Sequence, residues 1–225
     1  MNHAMISASL QCAPPLDVAS SVRTLENSGI DMFHFDIMDG HFVPNFALSI
    51  DQLEALSKMT KLPIDAHLMM THPSSYIEPV VKAGASLVCF HIEVAEDIAD
   101  NLRQIHELGA LAGLAISPET DLERLTPYLH QLNYILVMAI KPGFAGQAFI
   151  PATLERISTL AKHQLPIMVD GGLDDATCLQ CIKCGASILV AGKKSIFTPA
   201  HPLEEATKDH VAFIRQCALK GGIPL

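Results

Sequence analysis

Residues 63–91, PIDAHLMMTHPSSYIEPVVKAGASLVCFH, contain the unit that decides the fold. Two short apolar runs, Pro63–Leu68 and Ser86–His91, have the length and composition of buried strands. The stretch 74–83 between them distributes apolar and polar residues with the period of a helix. A strand, a helix and a second strand in this order predict two parallel strands joined by a helical crossover.

The same alternation extends outward from this unit along the chain. The apolar runs that we predict as strands are Ile6–Leu10, Met32–Ile37, Pro63–Leu68, Ser86–His91, Ala112–Ile116, Tyr134–Ile140, Pro166–Val169 and Ser187–Ala191. The predicted helices are 16–28, 50–58, 74–83, 97–108, 121–130, 152–163, 174–183 and 203–219. Ser74 and Asp174 are candidate N-terminal caps, and Gly84, Gly109 and Gly185 are candidate stop signals.

Eight strand–helix repeats predict an α/β protein with a single (β/α)8 TIM barrel as one domain over residues 1–225. The alternative is an open, doubly wound sheet, which usually has a glycine fingerprint after its first strand. Here the first predicted strand leads into Gln11-Cys12-Ala13-Pro14-Pro15, which contains no glycine. The closed barrel is therefore the preferred interpretation.

Composition limits the partners that we expect. A formal net charge of −9 argues against a nucleic-acid partner, because such proteins usually present a basic surface. The longest clean apolar run, Tyr134–Ile140, is too short to cross a bilayer, and the first residues lack the pattern of a secretion signal. We therefore predict a cytoplasmic protein without a membrane partner.

The cysteines do not predict a disulfide framework or a metal centre. The chain has six cysteines, and disulfide frameworks are typical of much shorter secreted chains. Cys178, Cys181 and Cys184 recur at every third residue, but no fourth ligand follows at the spacing of a zinc site. We interpret these three as small buried residues of a helix.

Polar side chains collect where the predicted strands end, which is the face that forms the active site in barrel enzymes. His34 and Asp36 share one face of the second strand, His67 lies on the third, and Asp170 ends the seventh. Each alone has an ordinary explanation, such as a buried core histidine or a helix cap. Together they predict a site for one divalent metal ion, with zinc, iron, manganese or cobalt favoured over calcium.

Glycine-rich loops after three consecutive strands indicate a phosphate site. Pro142-Gly-Phe-Ala-Gly-Gln147 follows the sixth strand, Gly171-Gly172 the seventh, and Gly192-Lys193 the eighth. Glycine lets backbone N–H groups approach an anion closely, and barrels often bind phosphate with the loops after strands seven and eight. The alternative is that these glycines only permit tight turns.

At these residues the sequence resembles the ribulose-phosphate 3-epimerase family, which includes the D-allulose-6-phosphate 3-epimerases. The resemblance rests on four segments in order: His34-Phe-Asp-Ile-Met-Asp-Gly-His-Phe-Val-Pro-Asn45, His67-Leu-Met69, Pro142-Gly-Phe-Ala-Gly-Gln147 and Val169-Asp-Gly-Gly172. It implies a barrel of the ribulose-phosphate-binding type and a metal-dependent isomerase that inverts C3 of a ketose phosphate. It also implies a homo-oligomer, either a dimer or a hexamer.

The resemblance also implies a role for each matching residue. The implied metal ligands are His34, Asp36, His67 and Asp170, and the implied acid/base pair is Asp36 and Asp170. The implied substrate contacts are Ser9, His67, Met38, Met69 and Met138. The implied phosphate contacts are Gly143, Phe144, Ala145, Gly146, Gly171, Gly172, Gly192 and Lys193.

Departures from the family pattern leave three functions open. The general pattern favours epimerisation of D-ribulose 5-phosphate to D-xylulose 5-phosphate. Leu10-Gln11-Cys12 and Ala145 resemble the D-allulose-6-phosphate 3-epimerases, which act on a six-carbon ketose phosphate. Lys141 and Lys193 depart from residues that are common in the family, which suggests a non-catalytic phosphosugar-binding barrel as a third function.

Overall fold

A closed barrel of eight parallel strands forms the centre of the computed structural model, which describes residues 4–221, with side chains as far as residue 217. The strands are β1 (Met5–Ser9), β2 (Met32–Met38), β3 (Ile64–Met69), β4 (Leu87–His91), β5 (Leu111–Ile116), β6 (Tyr134–Met138), β7 (Ile167–Asp170) and β8 (Ile188–Ala191). Their order around the barrel is their order in the chain, and β8 pairs with β1. The predicted (β/α)8 barrel is therefore confirmed, whereas one domain over residues 1–225 stays a prediction.

Helices cover the outside of the barrel. They are α1 (Val18–Asn27), α2 (Ile50–Met59), α3 (Ser74–Lys82), α4 (Ile98–Glu107), α5 (Thr153–Leu160), α6 (Asp175–Cys184) and α7 (Leu203–Gly221). Between β5 and β6 the connection is a 3-10 helix, Leu122–Gln131, where we predicted an ordinary helix. Pro127 lies inside it, but Pro79 lies inside the α-helix α3, so a proline alone does not account for the difference.

Most strand residues are buried on both faces of the sheet, which agrees with a hydrophobic content of 49% in the chain. All seven residues of β2 are buried. Phe33, Phe35 and Ile37 belong to the large core between sheet and helices, whereas Met32 belongs to a separate cluster with Tyr134 and other inward-facing residues. Because side chains alternate along a strand, His34 and Asp36 share the inward orientation of Met32. Among the described residues, no helix combines the length and apolarity that a bilayer span requires.

The helix signals were predicted correctly in most places. Asp174 caps α6, accepting a hydrogen bond from the Thr177 backbone N–H at 2.8 Å, and Gly185 ends that helix with a φ of +109°. The predicted cap at Ser74 is wrong, because Pro73 occupies the cap position and the Ser74 hydroxyl donates to Glu96 instead. Cys178 and Cys181 are buried in α6 with free thiols, as predicted, whereas Cys184 at the end of that helix is only partly buried.

Candidate active site

Four residues that are distant in the sequence meet at the carboxyl-terminal mouth of the barrel. His34 and Asp36 lie on β2, His67 lies on β3, and Asp170 ends β7. The pairing of β2 with β3 places Asp36 beside His67, and that of β6 with β7 places Met138 beside Asp170. One potential ligand atom from each of the four residues lies within 4.8 Å of the others. The structure therefore brings together all four residues that we predicted as metal ligands.

The geometry of this cluster suits a divalent cation. His34 Nε2 is 3.2 Å from Asp36 Oδ1 and 3.8 Å from Asp170 Oδ2, and His67 Nδ1 is 3.1 Å from the same Asp36 oxygen. His34 Nε2 is fully buried and has no hydrogen-bond partner. A buried nitrogen facing two carboxylates without a hydrogen bond is unfavourable unless a cation binds there. Two imidazoles and two carboxylates are a common donor set for such an ion.

A carboxylate behind His34 fixes the orientation of its ring. Asp65 Oδ2 is 2.8 Å from His34 Nδ1, and the Tyr134 hydroxyl donates to the other oxygen of Asp65. The three side chains are completely or almost completely buried. With Nδ1 bonded to Asp65, Nε2 is the nitrogen that faces the ligand cluster.

From the sequence we assigned no function to Asp65 or to Tyr134. The pairing of His34 with Asp65 depends on the register between β2 and β3.

A second chain of contacts lies behind His67. His67 Nε2 is 2.9 Å from His91 Nε2, and His91 Nδ1 is 2.9 Å from Glu93 Oε2. The other oxygen of Glu93 accepts a hydrogen bond from the Ser117 backbone N–H at 2.9 Å. We did not identify Glu93 from the sequence, because nothing in its local pattern distinguishes it from a solvated loop residue.

The two carboxylates of the cluster have opposite ionisation tendencies. Burial would raise the pKa of Asp36, but the charge of the adjacent His34, together with the hydrogen bond and charge of His67, outweighs burial and lowers that pKa well below its usual range. Burial raises the pKa of Asp170 to about 7, with a further increase from the charge of Asp36 and only partial opposition from His34. At neutral pH one carboxylate is therefore ionised while the other is partly protonated.

The pKa values of the two histidines are shifted in opposite directions. Burial opposes protonation of His34, but Asp36 and Asp65 outweigh that effect and hold the pKa of His34 well above its ordinary value. Burial lowers the pKa of His67 to about 4, although Asp36 partly opposes the shift. In the metal-free site, His34 is therefore the histidine that holds an extra proton.

An open cavity of about 510 Å³ lies above the cluster, and part of this volume is open to solvent. Residues predicted to contact substrate or phosphate and found in its lining are Ser9, Met38, Met69, Met138, Gly143, Phe144, Ala145, Gly146, Gly171, Gly172, Gly192 and Lys193. Asp36 and Asp170 also line it. His67 is fully buried and is not part of the lining, so its predicted contact with substrate stays a prediction.

One wall of the cavity is formed by the glycine loops. Gly171 and Gly172 have φ angles of +112° and +69°, which residues other than glycine rarely adopt. A Cβ on Gly172 would lie 2.6 Å from the Phe149 backbone nitrogen, so this close approach requires glycine. Lys193 and Lys194, both exposed, also belong to the lining of this cavity.

Residues after β1 form another part of the lining. Gln11 Nε2 is 4.0 Å from the Met38 sulfur, and Cys12 Sγ is 3.9 Å from the Ser9 hydroxyl. Burial, together with the charge of Asp36, raises the pKa of the Cys12 thiol to about 11, so the thiol is neutral at physiological pH. We noted both residues in the sequence as departures from the family pattern, but did not include them among the predicted site residues.

Known proteins share both the sequence pattern and the fold. Residues 5–197 match the model of the ribulose-phosphate 3 epimerase family. The cytoplasmic isoform of ribulose-phosphate 3-epimerase from Oryza sativa subsp. japonica is 41% identical over 207 residues, which are 89% of this chain and 90% of the rice protein. Ribulose-phosphate 3-epimerase from Chlamydia trachomatis is 37% identical over 83% of this chain and 84% of the relative.

A comparison of structures gives the fold alone. The crystal structure of KGPDC from Streptococcus mutans superposes with a TM-score of 0.75, covering 96% of this chain and 99% of the other. Sequence identity in that pair is 11%.

Proposed function

Because this chain belongs to the ribulose-phosphate 3-epimerase family, we propose that it interconverts D-ribulose 5-phosphate and D-xylulose 5-phosphate by inverting C3. Relatives that carry this name match over most of the chain. The observation that supports the reaction most strongly is the pair of cavity-lining carboxylates, Asp36 and Asp170, with opposite ionisation tendencies beside a buried histidine pair. Such a pair provides one proton acceptor and one proton donor in a single site.

The reaction requires a proton to leave one face of C3 and another to arrive on the opposite face. In one direction, an ionised aspartate takes the C3 proton, and the electron pair of that C–H bond forms a C2–C3 double bond. The C2 carbonyl oxygen then holds the negative charge of an enediolate. The second, protonated aspartate delivers its proton to the opposite face of C3, and the carbonyl forms again. The roles of Asp36 and Asp170 exchange in the reverse reaction.

His34, Asp36, His67 and Asp170 would hold one divalent ion in this mechanism. When bound, that ion supplies Lewis-acid stabilisation of negative charge on the substrate oxygens. The donor set suits zinc, iron, manganese or cobalt. Asp65 keeps His34 Nε2 directed toward the ion through the 2.8 Å contact with Nδ1.

The cavity walls provide substrate orientation and protection of the intermediate. We assign the phosphate to the Gly143–Gly146 loop, Gly171-Gly172 and Gly192-Lys193, since backbone N–H groups and a lysine ammonium are suitable anion donors. Met38, Met69 and Met138 present thioethers to the reacting carbon, and these groups have no acidic proton with which to quench the enediolate. Ser9 donates to Asp36 Oδ2 at 3.1 Å and would help to orient that carboxylate.

A second candidate function is epimerisation of D-allulose 6-phosphate. Gln11, Cys12 and Ala145, which resemble that branch of the family, all line the cavity. They are therefore in a position to discriminate between a five-carbon and a six-carbon ketose phosphate. The convergence of all four predicted metal ligands argues against a non-catalytic phosphosugar-binding barrel.

The experiment that tests the proposal is turnover of D-ribulose 5-phosphate and D-allulose 6-phosphate side by side. Each substrate is given to metal-depleted protein and to protein reconstituted with Zn²⁺, Fe²⁺, Mn²⁺ or Co²⁺. We expect metal-dependent formation of D-xylulose 5-phosphate at a kcat/KM above that for the hexulose phosphate. The reverse preference would establish the second candidate, and no turnover of either substrate with any metal would contradict both.

Two further predictions concern the protein in the cell. We propose a homo-oligomer, a dimer or a hexamer, which size-exclusion chromatography with light scattering would measure. We also propose a cytoplasmic location, which fractionation of the source cells would test.

A further inference from the structure

The contacts behind His67 form a continuous chain from the candidate metal site to a loop carboxylate. We define the His67 relay as His67, His91 and Glu93. The two Nε2 atoms of the histidines are 2.9 Å apart, and Glu93 Oε2 is 2.9 Å from His91 Nδ1. His67 and His91 are fully buried, whereas the Glu93 side chain is 20% exposed.

The surroundings hold the relay in one arrangement. The planes of the His67 and His91 rings are 29° apart, with centroids separated by 5.0 Å, and the centroid of the Phe42 ring lies 4.8 Å from that of His91. Arg156 donates to the backbone oxygens of Ser117 and Thr120 at 3.1 Å and 2.8 Å. These bonds fix the loop whose Ser117 N–H binds Glu93.

The number of N–H groups on the two histidines limits how many contacts of the relay can be hydrogen bonds. Two neutral imidazoles supply two N–H groups, but the relay makes three close contacts: Asp36 with His67, His67 with His91, and His91 with Glu93. When a cation binds both Asp36 and His67 Nδ1, the first contact needs no hydrogen. The two N–H groups then satisfy the other two contacts, so metal binding completes the relay.

We propose that Glu93 is a positioning residue that acts through His91 to present the lone pair of His67 Nδ1 to the metal ion. The Glu93 carboxylate can only accept hydrogen bonds, so its 2.9 Å contact requires hydrogen on His91 Nδ1. The Ser117 hydroxyl, 3.4 Å from the same nitrogen, can also accept from that hydrogen. His91 Nε2 must then accept from His67 Nε2–H, which leaves His67 Nδ1 without a proton. This inference rests on the metal site of the proposed function. It adds to that site a supporting residue, Glu93, which is 26 positions from His67, the nearest ligand in the sequence.

The substitution Glu93→Gln would disturb this placement of hydrogens on His91 and His67, with little change in side-chain shape. A glutamine has one acceptor oxygen, whereas Glu93 now accepts from both His91 and the Ser117 N–H. If the amide oxygen bonds to Ser117, the amide nitrogen faces His91 Nδ1 and favours the opposite tautomer. That tautomer places hydrogen on His67 Nδ1, where it competes with the metal ion.

The matched control is Glu96→Gln. Glu96 is similarly buried, with an 18% exposed side chain, and it accepts hydrogen bonds from the Ser74 backbone and hydroxyl. No contact joins it to the relay among the residues that the structure describes. We expect Glu96→Gln to leave metal affinity within about twofold of wild type.

The experiment measures the Zn²⁺ dissociation constant of the full chain by chelator competition. Because outer-shell partners of metal-bound histidines typically contribute 10- to 100-fold in affinity, we expect Glu93→Gln to weaken Zn²⁺ binding by about 10- to 100-fold. His91→Gln offers His67 Nε2–H a new acceptor oxygen, so in that background Glu93→Gln should change the dissociation constant by less than about threefold. A purely structural role for Glu93 would give the same loss in both backgrounds and would overturn the proposal.

A measurement on the unmodified protein does not depend on how the variants fold. Long-range ¹H–¹⁵N spectra of the Zn²⁺-loaded chain report which nitrogen of His91 is protonated. We expect Nδ1–H, and Nε2–H would overturn the proposal. Wild-type protein that binds no Zn²⁺ would overturn both this inference and the metal site, whereas tight wild-type binding with unchanged affinity in Glu93→Gln would overturn the inference alone.

Discussion

Asp36 and Asp170 line the same cavity, yet different neighbours surround their carboxylates. Asp36 has three close polar partners, His34, His67 and Ser9. Asp170 lies 3.8 Å from its histidine partner, His34, and its side chain is 18% exposed. This difference separates their pKa values and suits them to opposite ends of a proton transfer.

The substitutions Asp36→Asn and Asp170→Asn test these roles directly. Each preserves shape but removes a proton acceptor, so we expect kcat to fall by about 10²- to 10⁴-fold, the usual contribution of a general acid or base. Thermal unfolding should remain cooperative in both variants. The control is Asp100→Asn, because Asp100 is 64% exposed on α4 and does not line the cavity. Wild-type kcat in either active-site variant would contradict the assignment.

The pH dependence of metal binding follows from the same residues. Metal ligands must lose their protons before they bind the ion. In the metal-free site, the pKa of Asp170 is raised to about 7 and that of His34 lies well above its ordinary value, whereas Asp36 is already ionised. Protons therefore compete with the ion more strongly as the pH falls through 7.

We expect the Zn²⁺ dissociation constant to decrease by about tenfold per pH unit for each proton released between pH 6 and pH 8. Chelator competition at several pH values, in buffers that do not bind zinc, provides the measurement. An affinity that is constant over this range would show that neither Asp170 nor His34 is protonated in the metal-free protein.

Residue-level prediction from sequence succeeded where a side chain's direction follows from strand alternation. His34 and Asp36 are two residues apart on one strand, so their common orientation needed no knowledge of the fold. Glu93 and Tyr134 could not be found in this way. The partner of Tyr134, Asp65, lies on another strand, and a single sequence contains no information about the register between strands. Glu93 comes only two residues after its partner His91, but it lies beyond the end of β4, where strand alternation no longer fixes the direction of a side chain.

At the scale of strands and helices, the predicted boundaries lie within about two residues of the observed ones at most ends. The differences have local causes. Tyr134–Ile140 was predicted as one strand because it is uniformly apolar, but β6 ends at Met138 where the chain turns into the Pro142–Gly143 loop. Predicted cap Ser74 failed because Pro73, with its fixed φ, is itself compatible with the helix start.

The contact between β5 and β6 illustrates a constraint that sequence pattern does not reveal. Gly113 pairs with Tyr134, and a Cβ on Gly113 would lie 2.4 Å from the Tyr134 ring carbon Cζ. The missing side chain therefore makes room for the ring whose hydroxyl supports Asp65 behind His34. This glycine is required by packing rather than by its backbone conformation.

We expect Gly113→Ala to lower the free energy of unfolding by about 1–3 kcal/mol, the usual result of overpacking a core. Tyr134→Leu should also destabilise the protein, because it leaves Asp65 with fewer hydrogen bonds. In the double variant the clash is absent, so the combined loss should be smaller than the sum of the two single losses by more than about 0.5 kcal/mol. Urea unfolding of the metal-free proteins measures this, and strict additivity would contradict the steric explanation.

At the scale of the whole molecule, barrel closure produces the site. Asp36 and Asp170 are separated by 134 positions, from their residue numbers, yet they line one cavity because β2 and β7 belong to one closed sheet. Eight strand–helix repeats were sufficient to predict this closure, and the strand-end rule then predicted which residues would meet. The shape of the cavity and its additional lining by Gln11 and Cys12 depend on loop conformations that no periodicity determines.

In the proposed mechanism, two aspartates exchange protons with opposite faces of C3 in a metal-dependent site. The most direct test converts D-ribulose 5-phosphate in D₂O with Zn²⁺-reconstituted protein and examines the first D-xylulose 5-phosphate formed by NMR. We predict deuterium at C3 of that product and no conversion by metal-depleted protein. Product that retains its original hydrogen at C3 would indicate a single base that returns the same proton, and would contradict the two-aspartate mechanism.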